Sequence, residues 1–272
     1  MNLFRNILIF GIVFLMLVKT LFLISKHSKP IVNLPKQDIL IEIKQKDSKV
    51  PEIVKEFNEI NKKITSFNSD MRVRIWDNGM RFKVSGSLFY SKPNLFHMQT
   101  WFVMGKELDL GSNSTQFWYW SKRDKNPGLY YSSYEDYHNT RLKNPFNPIF
   151  MRESLGLDEI DVTDAKIIEN DKTLSITWRK VNASNEKILY SMFLNKSDKR
   201  IQGTAISDLS ENILACSEIQ YIGVVPKRIL YDWKEEKRSL VIEFRSPQIN
   251  QDLSKHDWEL PDYSPKINMG KE

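Results

Sequence analysis

One cysteine, Cys216, in 272 residues excludes an internal disulfide and any zinc site built on thiolates. The four histidines, His27, His97, His138 and His256, stand far apart, and none has a partner at metal-ligand spacing. No metal and no cofactor is therefore expected. The chain has no glycine-rich phosphate loop and no serine placed on a strand-to-helix elbow. His97, Asp109 and Ser112 are the residue types of a hydrolytic triad, but nothing in the pattern presents that serine as a nucleophile. No catalytic residue is named, and an enzyme is the least expected class. No cysteine follows the N-terminal apolar run, which argues against an acylated lipoprotein N-terminus.

A nucleic-acid footprint is missing too, despite a net charge of +6 and a pI near 9.1. Arg5, Lys19, Lys26 and Lys29 fall within the first 29 residues, where there are no acids; taking them from the 40 basic residues leaves 36 against 34 acidic ones. A near-neutral body does not track a phosphate backbone. The basic run from Lys234 to Arg238 contains Glu235 and Glu236 and reads as the solvated turn of a hairpin.

Ile7 to Ile24 is almost wholly apolar, broken only by Gly11, Lys19 and Thr20. Its Leu, Ile, Phe and Val residues are together worth roughly −4 to −8 kcal/mol for membrane insertion, and Lys19 costs about 2.5–3.5 kcal/mol, so insertion wins. The flank FLISKHSK offers no pair of small residues for cleavage, which favours a retained anchor over a removed signal peptide. The expected organisation is an anchor over 1–25, a polar linker over 26–50, a β domain over 51–247 and an irregular tail over 248–272.

A period of two dominates the domain. Met80, Phe82, Val84, Gly86, Leu88 and Tyr90 fall on one face of a strand, opposite Arg81, Lys83, Ser85 and Ser87. After the turn at Ser91–Asn94, Phe96, Met98, Thr100, Phe102 and Met104 form the next apolar row. Asp77-Asn78-Gly79 is a hairpin turn. Further alternating runs recur from Ala165 to Arg245, separated by polar turns. Helices are predicted over about 51–67, with a stripe of Ile53, Phe57, Ile60 and Ile64, and over about 145–156. The fold class expected is mainly β: an unclosed antiparallel barrel of about ten or eleven strands, with helices over its concave side and an N-terminal transmembrane helix.

The order helix, hairpin, S-G-S-L-F-Y-S-K-P over Ser85 to Pro93, the turn region Gly105 to Asn113 and an aromatic strand resembles the outer-membrane lipoprotein carrier and receptor (LolA/LolB-like) superfamily. The nearest likeness is to a bacterial branch with a D-L-G-S-N…F-W-x-W signature, here Asp109 to Asn113 with Phe117, Trp118 and Trp120. The resemblance spans about residues 50–245. It implies a non-enzymatic protein of the bacterial cell envelope whose cavity takes lipid or lipoprotein acyl chains; the N-terminal apolar run, which departs from the family's soluble carrier and cysteine-lipidated receptor, adds an anchor with the β domain on the periplasmic side. Phe82, Val84, Leu88, Phe96, Met98, Phe102 and Phe117 are the expected cavity lining, although the same rows also suit a dry core. Trp118 and Trp120 share a face opposite Phe117 and are the candidates for a docking or membrane-interface patch, or for packing under a loop. Expected partners are acyl chains, the membrane and other envelope transport proteins, not nucleic acid. The same fold also serves sensing modules, so cargo transfer and lipid sensing both stay open.

Overall fold

The computed structural model describes residues 29–32, 34, 41–43, 50–77, 79–103, 105–124, 126–137, 147–182 and 185–270. The apolar run Ile7 to Ile24 lies outside these, as do Met104 and His138; among the described residues no helix is long and apolar enough to cross a membrane. The elements below all belong to one compact unit, Ile31–Glu272.

Two antiparallel meanders make a single sheet. The first runs β2 (Ser66–Asp77), β3 (Met80–Ser91), β4 (Leu95–Phe102), β5 (Gly105–Ser112), β6 (Gln116–Ser121) and β7 (Leu129–Ser133). The second runs β8 (Lys166–Glu169), β9 (Thr173–Val181), β10 (Lys187–Asn195), β11 (Arg200–Ser207), β12 (Ile213–Ile222), β13 (Val225–Trp233) and β14 (Arg238–Phe244). They join where β14 pairs with β2, Ile242 opposite Val73. Short strands finish the edges: β1 (Ile41–Ile43) on β8, and β16 (Lys266–Asn268) parallel to β7, while β15 (Gln248–Ile249) adds to β2. The two edges, β1 and β16, do not pair, so the sheet is unclosed and mainly antiparallel. Its 16 strands exceed the expected ten or eleven. Part of the excess is these three edge pieces, too short to show a period of two.

Pairing puts directly opposed residues on one face. Phe67, Tyr90, Phe96, Ser112 and Phe117 are therefore one row across β2 to β6, and Val73, Val84, Ile242 and Ile229 another. This inner face forms one continuous core with the helices. A β-bulge at Glu107 keeps both faces in phase: Thr100 opposes Leu108, but Trp101 opposes Lys106.

Helix α1 (Glu52–Asn61) buries Val54, Phe57 and Asn61. It ends about six residues before the predicted 67, because Ser66 and Phe67 are taken by pairing with Ser91 and Tyr90. The buried stripe is shifted accordingly, with Ile53 and Ile60 only half-buried. Helix α2 (Pro148–Glu153) is shorter than predicted; Asn147 caps it by accepting from the Ile149 and Phe150 amides, with Pro148 opening the first turn. Both helices lie on the inner face. Phe150 packs edge-on to Tyr231, whose hydroxyl donates to Met151 O at 3.1 Å.

The outer face is covered by chain ends. Val32 and Leu34 pack with Phe193, Ala205, Cys216, Leu230, Val241 and Trp76 in a second small core. Cys216 is thus a small buried strand residue, as its pattern predicts. Residues 248–270, expected as an irregular tail, have little regular structure yet run along the first meander from β15 on β2 to β16 on β7.

Candidate functional site

The expected cavity lining is packed. Leu88 is 1 % exposed and Phe96, Met98 and Phe117 are 0 % exposed, with Val84 buried beside them. A side chain with no accessible area borders no space that a water-sized sphere can enter, so these residues meet side chains, not a hollow. Phe82 shares their face near its end, half-buried under the Arg123 guanidinium 4.5 Å from its ring centre. Phe102 stands apart at the tip of the β4–β5 hairpin, 47 % exposed beside Trp101 and Val103. The row therefore runs from a filled core to a solvated tip.

Room remains at another place on the inner face. A cleft of about 520 Å³ opens between β9 and β10, α2, the 158–163 segment and the 92–94 turn. Its walls include Trp178, Tyr190, Met192 and Ile160, with Lys92, Arg152 and Lys180 among the charges at its rim. Trp178 and Tyr190 are opposed across the β9–β10 pair, and Met192 follows two residues on, so the apolar wall is a consequence of strand alternation. The 156–161 segment is pinned by α1: Asn61 Nδ2 donates to Gly156 O at 2.9 Å and Asp158 O at 3.0 Å. Asn58 accepts from the Ile160 amide at 2.7 Å and donates to its carbonyl at 2.9 Å.

Electrostatics at the cleft are unusual. Asp158, expected to be solvated, accepts a hydrogen bond from Tyr90 and is pushed above the usual carboxylate range by burial, which Tyr90 and Arg152 only partly offset. Tyr190 is 2 % exposed; burial pushes its phenol well above the usual range and the neighbouring Glu153 carboxylate pushes it further, while the Lys180 ammonium lies 4.2 Å from its ring centre. Lys92 and Pro93 belong to the quoted Ser85–Pro93 stretch, but nothing in the sequence joined them to Trp178, Tyr190 or Met192, because the 92–94 turn and the β9–β10 pair are separated by about 80 residues.

The signature residues converge on the opposite face. Asp109, 0 % exposed, accepts from Trp118 Nε1 at 3.1 Å, His97 Nε2 at 3.0 Å, Gln99 Nε2 at 2.9 Å, Lys106 Nζ at 3.0 Å and Tyr263 at 2.9 Å. These bonds hold its carboxyl well below the usual range against the opposing effect of burial. Gly111 leaves room for the Trp118 ring; a Cβ there would sit 2.5 Å from it. Asn113 does cap the β5–β6 turn, accepting from the Thr115 and Gln116 amides, and its Nδ2 reaches Trp258 O at 3.1 Å. Asp109 caps no turn; it is the hub of the outer face. Trp118 is fully buried and Trp120 half-buried under Tyr263, ring centres 4.5 Å apart, so Trp118 presents no surface for docking. Tyr263 of the 248–270 segment covers Trp120, whereas Trp118 is enclosed by Asp109, His97 and the Gly111 backbone. His97 and Asp109 meet, but Ser112 points to the inner face and donates to Asn94 O, so the three do not assemble as a triad.

No protein-family model matches the chain, and no curated protein matches it. Solved structures do. A DUF1329 family protein from Desulfovibrio piger has a TM-score of 0.52 at 10 % identity over 76 % of this chain and 95 % of its own. A Vibrio parahaemolyticus domain named for outer membrane lipoprotein sorting has a TM-score of 0.51 at 11 % identity, over 76 % and 95 %. A LolA superfamily protein from Nitrosomonas europaea scores 0.49 at 10 % identity, over 75 % and 94 %. The fold expected from the sequence resemblance is thus the fold that the first two share with this chain.

Proposed function

We propose that this chain is a cell-envelope, lipid-binding domain on the lipoprotein-sorting fold, and that its acyl site is the cleft between α2 and the β9–β10 pair, not the inner row of β3 and β4. The observation that carries this is the contrast between them. The cleft has an apolar patch of Ile160, Trp178, Tyr190 and Met192 among charged residues of both signs and a volume within the roughly 300–1,000 Å³ usual for ligand sites, whereas the expected lining is closed by its own side chains. Burial of each methylene is worth about 0.8 kcal/mol, so about ten methylenes laid on Trp178, Met192 and Ile160 supply a gross gain of about 8 kcal/mol, from which the cost of ordering the chain is subtracted. The mixed charges at the rim keep an amphiphile's polar end in water. An N-terminal membrane anchor, with the domain on the periplasmic side, would make it a fixed acceptor or handover station for acyl cargo.

Titration with a fluorescent fatty acid tests this. Met192→Asp, at a half-buried wall position, is expected to weaken binding at least tenfold while the melting temperature stays near that of the wild type. Phe96→Ala is expected to lower stability and leave affinity per folded molecule unchanged. The opposite pattern, with affinity following Phe96 and indifferent to Met192, would return the acyl site to the inner row.

A second reading draws on the same packing. A core this full at Leu88, Phe96, Met98 and Phe117 suits an envelope interaction or regulatory module whose cavity is vestigial and which transfers no cargo. For that module, no acyl probe would saturate the protein.

A further inference from the structure

The C-terminal segment lies on the outer face of the first meander and is fastened there by few groups. At one end, β15 pairs with Phe67 and Asn68, and Ser66 Oγ donates to Gln251 O. At the other, β16 runs beside β7, and the Leu129 amide donates to Pro265 O. Between these ends the attachments are side chains. His256 stacks on Phe89, ring centres 4.0 Å apart and planes 23° apart, and meets Trp258 edge-on. Its Nε2 lies 3.0 Å from Nδ1 of His97. Tyr263 stacks on Trp120 and bonds to Asp109.

The two imidazoles set a condition on protons. His97 points Nε2 at the Asp109 carboxylate, which places a proton on that nitrogen; the Gln99 amide, 2.9 Å from the same atom, gives its hydrogen to the other carboxylate oxygen. At 3.0 Å the remaining pair, Nδ1 of His97 and Nε2 of His256, needs one proton between them. With none, two lone pairs face each other; with two, two N–H groups do. The bridge therefore holds while His256 is neutral and breaks when both rings are fully protonated. The charged groups around it do not rescue the doubly charged form. Asp109 already has Lys106 at 3.0 Å, and Asp257 is exposed on the segment itself. Lys106 also lies over the Tyr263 ring, adding a positive charge on the same side.

We propose that the His97–His256 bridge is an acid-sensitive latch: mild acidification detaches residues 251–265 and uncovers the rings of Phe89 and Trp120, while the sheet stays folded. The sheet keeps its ladder hydrogen bonds, and Asp109 keeps Trp118, Gln99 and Lys106 when Tyr263 leaves. The direction of titration agrees. Burial, reinforced by repulsion from His97, lowers His256 to about 4 from 6.5. A histidine depressed in the attached state favours attachment fully above its free value. That contribution is lost progressively as pH falls from 6.5 towards 4.

Hydrogen–deuterium exchange on the full chain, corrected for the chemical exchange rate, tests the latch. Peptides covering 251–265 should open on the order of tenfold more between about pH 7.5 and pH 5, with peptides of β3 and β4 unchanged. His256→Phe keeps a ring for Phe89 but carries no proton, and its exchange should be flat over the same range. If His256→Phe loosens the segment at every pH, His256→Gln takes its place, with the same flat profile expected. Unchanged protection of 251–265 in the wild type would overturn the proposal, as would an equal rise in the non-titrating variant.

Discussion

Asp109→Asn is the substitution whose cost the structure defines best. The carboxylate has no accessible area and accepts five hydrogen bonds, two at Oδ1 from His97 and Trp118 and three at Oδ2 from Gln99, Lys106 and Tyr263. An amide of the same shape turns one of those oxygens into a donor. Two or three donors then face an N–H₂ group, and Lys106 loses its counter-charge. Removing one member of a buried charged network costs about 3–5 kcal/mol. For a domain of this size, at roughly 2–4 °C per kcal/mol, the melting temperature should fall by roughly 6–20 °C. Urea and thermal denaturation at neutral pH, followed by circular dichroism, measure it. A loss below about 1 kcal/mol would refute the hub. Acid supplies an independent arm. A carboxyl held low in the folded state contributes stability above its unfolded value, and that contribution is lost as pH falls below about 4. The wild type should therefore lose stability in that range faster than Asp109→Asn.

Phe96→Ala removes a side chain with no accessible area and should cost about 3–5 kcal/mol in urea denaturation, where an acyl-lined wall would tolerate it far better. Gly111→Ala places a methyl 2.5 Å from the Trp118 ring and 2.6 Å from Phe96 O, both on groups with little freedom to move. It should cost about 1–3 kcal/mol and alter the near-ultraviolet circular dichroism of the tryptophans.

Much of the sheet was legible because strand alternation is local. The row Phe82 to Tyr90 reads as one face in sequence and is one face in the fold, and Asp77 to Gly79 is the turn that its residues predict. What alternation cannot supply is which of two apolar rows leaves space. Leu88 and Met98 look alike whether they border a lipid or each other, and the answer depends on how the helices fill the sheet. The cleft was invisible for a related reason, since Trp178, Met192 and Asn94 meet only through pairing between distant strands. The tail is mostly irregular as expected, but its docking left no period to read: His256, Trp258 and Tyr263 pack by stacking and single hydrogen bonds, which leave no repeating pattern. The signature from Asp109 to Trp120 was the exception. Its spacing is the register of β5 on β6, where Asp109 opposes Trp120 and Gly111 opposes Trp118. The purpose of that register became plain only with the C-terminal segment in place.

Photo-crosslinking with a fatty acid that carries a diazirine along its chain addresses the acyl site most directly. The account predicts adducts on Trp178, Tyr190 and Met192, competed away by unlabelled fatty acid. Adducts on Leu88, Phe96 or Met98, or none that unlabelled fatty acid displaces, would contradict it.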